Sequence, residues 1–128
     1  MKAPADNRGF TLISVLVAIV MLSIGLVALS RSQTVMMSMQ NRLASGTTAL
    51  GIARGYLEQV RGRDPWTLAS EAAVTVDELG LPSVNGKYTR SMTVSLDANN
   101  LVRTTISVTY PKQSSPVQLV TLIYRGAT

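Results

Sequence analysis

The chain has no cysteine and no histidine among its 128 residues. The first absence removes disulfides and thiolate chemistry. The second removes hydrolysis by a Ser-His or Cys-His pair and leaves carboxylates alone as side-chain metal ligands. Acids are scarce too: seven Asp and Glu stand against twelve Lys and Arg, for a net charge of +5. Aromatics make up 5% of the chain, with a single Trp, so a row of base-stacking platforms is not evident. The most telling shortage is charge near the amino terminus. The 22 residues from Gly9 to Ser30 carry none, between Arg8 and Arg31.

What is present in that gap is apolar. Hydrophobic residues are 46% of the chain against 15% charged, and much of the excess lies between Phe10 and Leu29. A helix needs about 20 apolar residues to cross the hydrocarbon core of a bilayer, and this run meets that length without proline. A secretory signal cut after the run is a poor fit. Ala28-Leu29-Ser30 has the small-x-small form, but the stretch before it is longer than the roughly 7–15 residues of a signal core. Basic residues flank the run on both sides (Lys2 and Arg8 before; Arg31, Arg42, Arg54, Arg61 and Arg63 after), so loop charge orients it only weakly.

The remaining residues divide by period. Met36, Met39, Leu43, Gly46, Leu50, Ala53, Leu57 and Val60 recur at steps of three and four, which predicts one apolar helix face. The helix thus changes from uniformly apolar to amphipathic over 31–61, and from Phe10 to Val60 would run about 75 Å. Arg61-Gly62-Arg63-Asp64-Pro65 ends it. Met36, Met37 and Met39 read as core or interface packing, and Gly51 with Gly55 as a pair that permits close approach of a sheet or a neighbour. The stretch GTTALGIARG lacks the Lys-Ser/Thr ending of a phosphate loop.

Residues 62–86 read as a connecting region, with a short strand at Val74–Val76 and a turn near Gly80. Over 87–128 the period becomes two. Tyr88, Met92, Val94 and Leu96 alternate with Thr89, Ser91, Thr93 and Ser95, and Val102, Ile106, Val108 and Tyr110 with Arg103, Thr105, Ser107 and Thr109. Arg90 falls on the apolar side, which predicts a place near an open end of the sheet. Asp97-Ala98-Asn99-Asn100 is turn material, and Val117 to Arg125 is a further strand, partly apolar on both faces. The expected fold class is α+β: a long amino-terminal helix packed on a small antiparallel sheet of three or four strands. Glu58, Asp64, Glu71, Asp77, Glu78 and Asp97 show neither an EF-hand spacing nor a converging acid/base pair. No catalytic site, cofactor site or metal site is predicted.

Arg8-Gly9-Phe10-Thr11-Leu12-Ile13, with a short basic leader before it and an unbroken apolar run after it, resembles the class III signal of type IV prepilins and type II secretion pseudopilins. The resemblance implies that prepilin peptidase cuts between Gly9 and Phe10, on the cytoplasmic side, and that Phe10 is then N-methylated. Residues 1–9 are then a cleaved leader, 10–30 a transmembrane and later filament-core helix, and the whole layout the pilin fold. The chain is most similar to minor pilins of the PilV type, with the I-type minor pseudopilin of type II secretion close behind. Motif specificity is confined to Arg8 through about Leu29.

Several expectations follow from that resemblance. The protein is a non-enzymatic minor pilin that takes part in pilus assembly, initiation or the tip. The alternatives are a secretion pseudopilin or a DNA- or surface-binding minor pilin. Its partners are other minor and major pilins, prepilin peptidase, the inner-membrane assembly platform and membrane lipid; nucleic acid has weak support in the arginines. It resides in a bacterial inner membrane as a single pass with a cytoplasmic amino terminus, then in the pilus, periplasm or cell surface. One departure stands out. The family usually has a glutamate at the fifth mature residue, thought to pair with a neighbour's amino terminus; here Ser14 occupies that place. Its hydroxyl is expected to bond a helical carbonyl one turn back. Either the subunit has no neighbour at that position, as at a tip or in an initiating complex, or the glutamate is dispensable in a low-abundance subunit.

Overall fold

A computed structural model describes Gly9 and residues 11–126. Helix α1 (Leu12–Arg61) is followed by strands β1 (Glu71–Val76), β2 (Tyr88–Asp97), β3 (Leu101–Thr109) and β4 (Val117–Tyr124). The strands form one antiparallel sheet in the order β1-β2-β3-β4, so the fold is α+β. The chain divides into two compact units, with the boundary inside α1 between Met39 and Gln40.

The second unit holds the core. Ala49, Ile52, Ala53, Tyr56 and Val60 on α1 bury themselves with Leu68, Val76, Tyr88, Met92, Ile106 and Val108. The face differs from the predicted one by about one residue. Ala53 and Val60 are on it, but Ala49 and Tyr56 hold its centre while Leu50 and Leu57 are half-buried beside them. Small Ala49 and Ala53 let the helix approach the sheet, and the Tyr56 hydroxyl reaches a polar partner on β1. Leu43 lies in solvent, as do Met36 and Met39 in the first unit. Gly51 and Gly55 have nothing within 4 Å of the place a Cβ would occupy, so the small pair does not pack on the sheet.

Helix α1 stops where predicted. The Gly62 amide donates to Glu58 O at 3.3 Å and that of Arg63 to Val60 O at 3.0 Å; Asp64 Oδ1 then accepts the Trp66 amide. The region 62–86, read as a connection, contains more sheet than the sequence announced. Strand β1 begins at Glu71 rather than Val74, and its pairing with β2 is interrupted by a bulge between those two residues. That bulge destroys the period-two signal on which the prediction relied. Gly86 passes so close to the Val76 carbonyl that a Cβ there would collide with it.

β2 and β3 alternate as expected, except that Leu96 is exposed. The hairpin between them turns on Asn99 and Asn100, both left-handed with φ near 60°, a conformation asparagine tolerates. Thr104 lies on the buried face of β3, fully buried, and its hydroxyl has no hydrogen-bond partner. A buried unpaired hydroxyl is destabilising, and valine has nearly its shape. Thr104→Val should therefore raise stability by ~1 kcal/mol, measured as a rise in the denaturation midpoint without a change in far-ultraviolet circular dichroism.

Candidate functional site

The residues singled out by the sequence lie at the head of α1. Thr11 caps it: its Oγ1 accepts the Ser14 amide at 3.3 Å, and its carbonyl accepts the Val15 amide at 3.2 Å. The Ser14 hydroxyl pairs with Thr11 Oγ1 at 2.8 Å. The carbonyl one turn back, where a bond is expected, belongs to Phe10; among the described residues the Ser14 hydroxyl is met by the Thr11 cap three residues back. Gly9 is exposed, outside the left-handed region, and has open space where a Cβ would go. Neither packing nor backbone strain demands glycine there. Phe10, the expected methylation site, lies outside the described residues.

Beyond the cap, every residue of α1 up to Ala44 is exposed. The helix includes an 18-residue window of mean hydropathy 2.9, none of it buried. Leu12 to Ser30 spans about 28 Å at 1.5 Å per residue, close to the roughly 30 Å of a hydrocarbon core. The polar side chains inside that span satisfy themselves. Ser23 donates to Ile19 O at 2.8 Å and Ser30 to Leu26 O at 2.9 Å. Such back-bonding removes the cost of a bare hydroxyl in lipid.

A second polar cluster escaped the sequence reading. The Tyr56 hydroxyl on α1 donates to Glu71 Oε2 on β1, and Arg63 NH1 donates to Glu71 Oε1 at 2.6 Å. Arg90 on β2 lies over the Tyr56 ring at 3.6 Å and donates to Gly80 O at 3.2 Å. A cation over an aromatic face explains how a charge sits on the apolar side of a strand; Arg90 is three residues into β2, and a ring rather than water receives it. The one available signal was an arginine in an apolar register with a tyrosine on the facing helix. The Tyr56 hydrogen bond, then Arg63, hold the Glu71 carboxyl below the ordinary carboxylate range, while burial and Glu71 push Tyr56 up.

The other acids serve local turns. Asp77 Oδ1 accepts the Leu79 and Leu81 amides at 2.9 Å, and Asp97 accepts the Ala98 amide and Arg103. Among the described residues no three of His, Cys, Asp and Glu converge as metal ligands. An open groove of about 420 Å³ is lined by Gly51, Gly55, Gln59, Leu79 and Arg90. Its only arginine is already held by Tyr56 and Gly80, as above.

The family model described as the prokaryotic N-terminal methylation motif matches residues 4–30. No curated protein and no solved structure matches the chain. The amino terminus thus carries a prepilin-type class III signal leading into an apolar anchor helix. With a long helix packed on an antiparallel sheet, the chain is pilin-like in both signal and architecture, and its amino-terminal helix is long and apolar enough to cross a membrane.

The Glu71 cluster has a pH signature. A carboxyl whose folded-state pKa is lowered stabilises the fold fully above its unfolded value, near 4.3, and that contribution disappears as pH falls through the lower folded value. Glu71 and Arg63 are partly exposed, at 37% and 43%, so solvent screening limits the effect. Glu71→Gln should cost ~1 kcal/mol at pH 7, with the gap from wild type closing under acid, as read from urea midpoints at pH 7 and below pH 4.

Proposed function

We propose that the chain is a minor pilin: a low-copy structural subunit, cut between Gly9 and Phe10, methylated at Phe10 and inserted into a type IV pilus at initiation or at the tip. The observation that carries this reading is the methylation motif over residues 4–30 running directly into a helix whose apolar surface has no partner among the described residues. Gly9 supports the cut. A glycine that folding does not require fits a site read by a peptidase. Ser14 supports the low-copy assignment. It brings no carboxylate to the position where the family recruits a neighbour, and its hydroxyl is engaged by Thr11.

In this role the partners are other pilins, prepilin peptidase, the inner-membrane assembly platform and, before assembly, lipid. The amino terminus is cytoplasmic, and the carboxy-terminal unit faces the periplasm and then the filament surface. A minor pseudopilin of type II secretion would carry the same signal and fold; recovery of the processed chain from sheared extracellular pili separates the two. A nucleic-acid role has less support. Arg61, Arg63 and Arg103 are ion-paired at 3.0, 2.6 and 2.7 Å, and Arg90 and Arg125 lie over Tyr56 and Trp66.

Intact mass and amino-terminal sequencing test the reading. Chain from wild-type cells should begin at methylated Phe10, and chain from cells lacking prepilin peptidase should retain residues 1–9. Gly9→Val should block the cut while leaving the sheet unit folded. A wild-type chain that keeps Met1, or one processed without the peptidase, would falsify the proposal.

A further inference from the structure

The segment after β1 folds back over that strand's outer edge. Val76 bridges to Pro82, and the Ser83 amide donates to Thr75 O at 3.0 Å. Ser83 to Gly86 then form a β-turn, closed by the Gly86 amide on Ser83 O at 3.2 Å. Serine at the first place and glycine at the fourth suit such a turn. Packing gives Gly86 a second reason to be glycine, since a Cβ there would collide with the Val76 carbonyl. Asn85, immediately before it, is exposed, next to Val84 at 99% exposure. The fold thus requires a residue without a side chain to follow an asparagine that stands in open solvent.

That pair of residues has a chemistry of its own. The Gly86 backbone nitrogen loses its proton and attacks the side-chain carbonyl carbon of Asn85. A C–N bond forms, the bond to the amide nitrogen breaks, and ammonia leaves a five-membered succinimide. Water then opens the ring at either carbonyl. One opening gives aspartate. The other gives isoaspartate, whose main chain runs through the former side chain. In sum, a carboxamide and water become a carboxylate and ammonium, with no oxidant, metal or enzyme. After any residue but glycine a Cβ would crowd the attacking nitrogen. Of the five asparagines (7, 41, 85, 99 and 100), Asn85 alone precedes glycine. Asn41 lies inside α1 and precedes arginine, and Asn99 and Asn100 precede asparagine and leucine. The bond from the Gly86 amide to Ser83 lies at the long end of the usual range, roughly 2.7–3.2 Å, so it restrains the nitrogen only weakly.

We infer that Asn85 is a self-modifying site, which deamidates in the folded protein and, in its isoaspartyl form, loosens the cover over β1. Asp77, Glu78, Asn85 and Lys87 line one open cavity of about 330 Å³. The new carboxylate therefore arrives beside two others, and it lowers the net charge of +5 by one. Isoaspartate also adds one methylene to the main chain of the turn. Gly86 has no room to move toward Val76, so the displacement falls on the Val76–Pro82 bridge and the Ser83–Thr75 bond. Those contacts cover backbone groups that an edge strand otherwise leaves open to pairing. Conversion advances with the age of each molecule, and none of it depends on the filament reading.

The test incubates the full-length chain in detergent at pH 7 and pH 8 and follows each asparagine by peptide mass, with isoaspartate distinguished from aspartate by fragmentation. Asn85 should convert at least tenfold faster than Asn41, Asn99 or Asn100, and within tenfold of a synthetic peptide of residues 82–88. Because the attacking nitrogen must first lose a proton, the rate should rise about tenfold between the two pH values. Asn85→Gln, whose ring would need six members, should abolish conversion there without altering the fold. In aged chain the Ser83 amide should exchange with deuterium at least tenfold faster, with β3 and β4 unchanged. Asn85→Asp, with the charge but an unaltered main chain, should leave Ser83 protected. An intact Asn85 in folded chain when the peptide has fully converted overturns the site, as does equal conversion at Asn99 or Asn100. Conversion that leaves Ser83 as protected as before, or equal loss of protection in Asn85→Asp, overturns the isoaspartyl loosening of β1.

Discussion

Among the described residues, the side chains of α1 from Leu12 to Leu29 are exposed, and the first buried position is Ala49. In water that surface would cost roughly 25 cal/mol for each Å² left exposed. The anchor unit therefore borrows its stability from its surroundings, while the unit from Gln40 onward has a core of its own. Lipid removes the hydrophobic cost but adds a demand of its own, that every backbone and hydroxyl group find a partner along the helix. Ser23 and Ser30 meet it by bonding carbonyls one turn back, and Thr11 meets it at the exposed end.

The same constraint would set the terms on which such a helix leaves a bilayer. Lipid tails are as apolar as leucine, so exchanging them for neighbouring helices yields little hydrophobic free energy; packing and specific polar contacts must supply the gain. A carboxylate near the start of the helix would furnish one strong contact. Ser14 furnishes none, because its hydroxyl is already matched to Thr11.

How much of this was legible in the residues follows from the kind of signal each element sends. The apolar run and the motif at Arg8–Ile13 are read from composition and spacing, and neither depends on tertiary contacts. β2 and β3 were legible because each alternates polar and apolar side chains with only Arg90 and Thr104 out of step. The helix face was displaced because steps of three and four lead to Leu50 and Leu57, whereas close approach to the sheet favours Ala49, and Tyr56 reaches a polar partner on β1. β1 was half seen, since a bulge breaks alternation at the place where it would be recognised. The Tyr56–Glu71–Arg63–Arg90 cluster was invisible. Its members are spread over 35 positions, from 56 to 90, and only the folded register of β1 on β2 brings them together.

Arg90 shows why such a cluster is worth its desolvation. A guanidinium on the inner face of a strand opposite Val74 and Val108 would be costly alone. Stacked on Tyr56, it neutralises part of the charge that Glu71 brings to the same spot, and Tyr56 in turn hydrogen-bonds Glu71. The three elements α1, β1 and β2 are thereby fixed in register by one polar knot, at the end of α1 opposite its anchor segment in sequence. Apolar packing of alanines against methionine and isoleucine resists separation but resists sliding poorly, whereas directional bonds resist both.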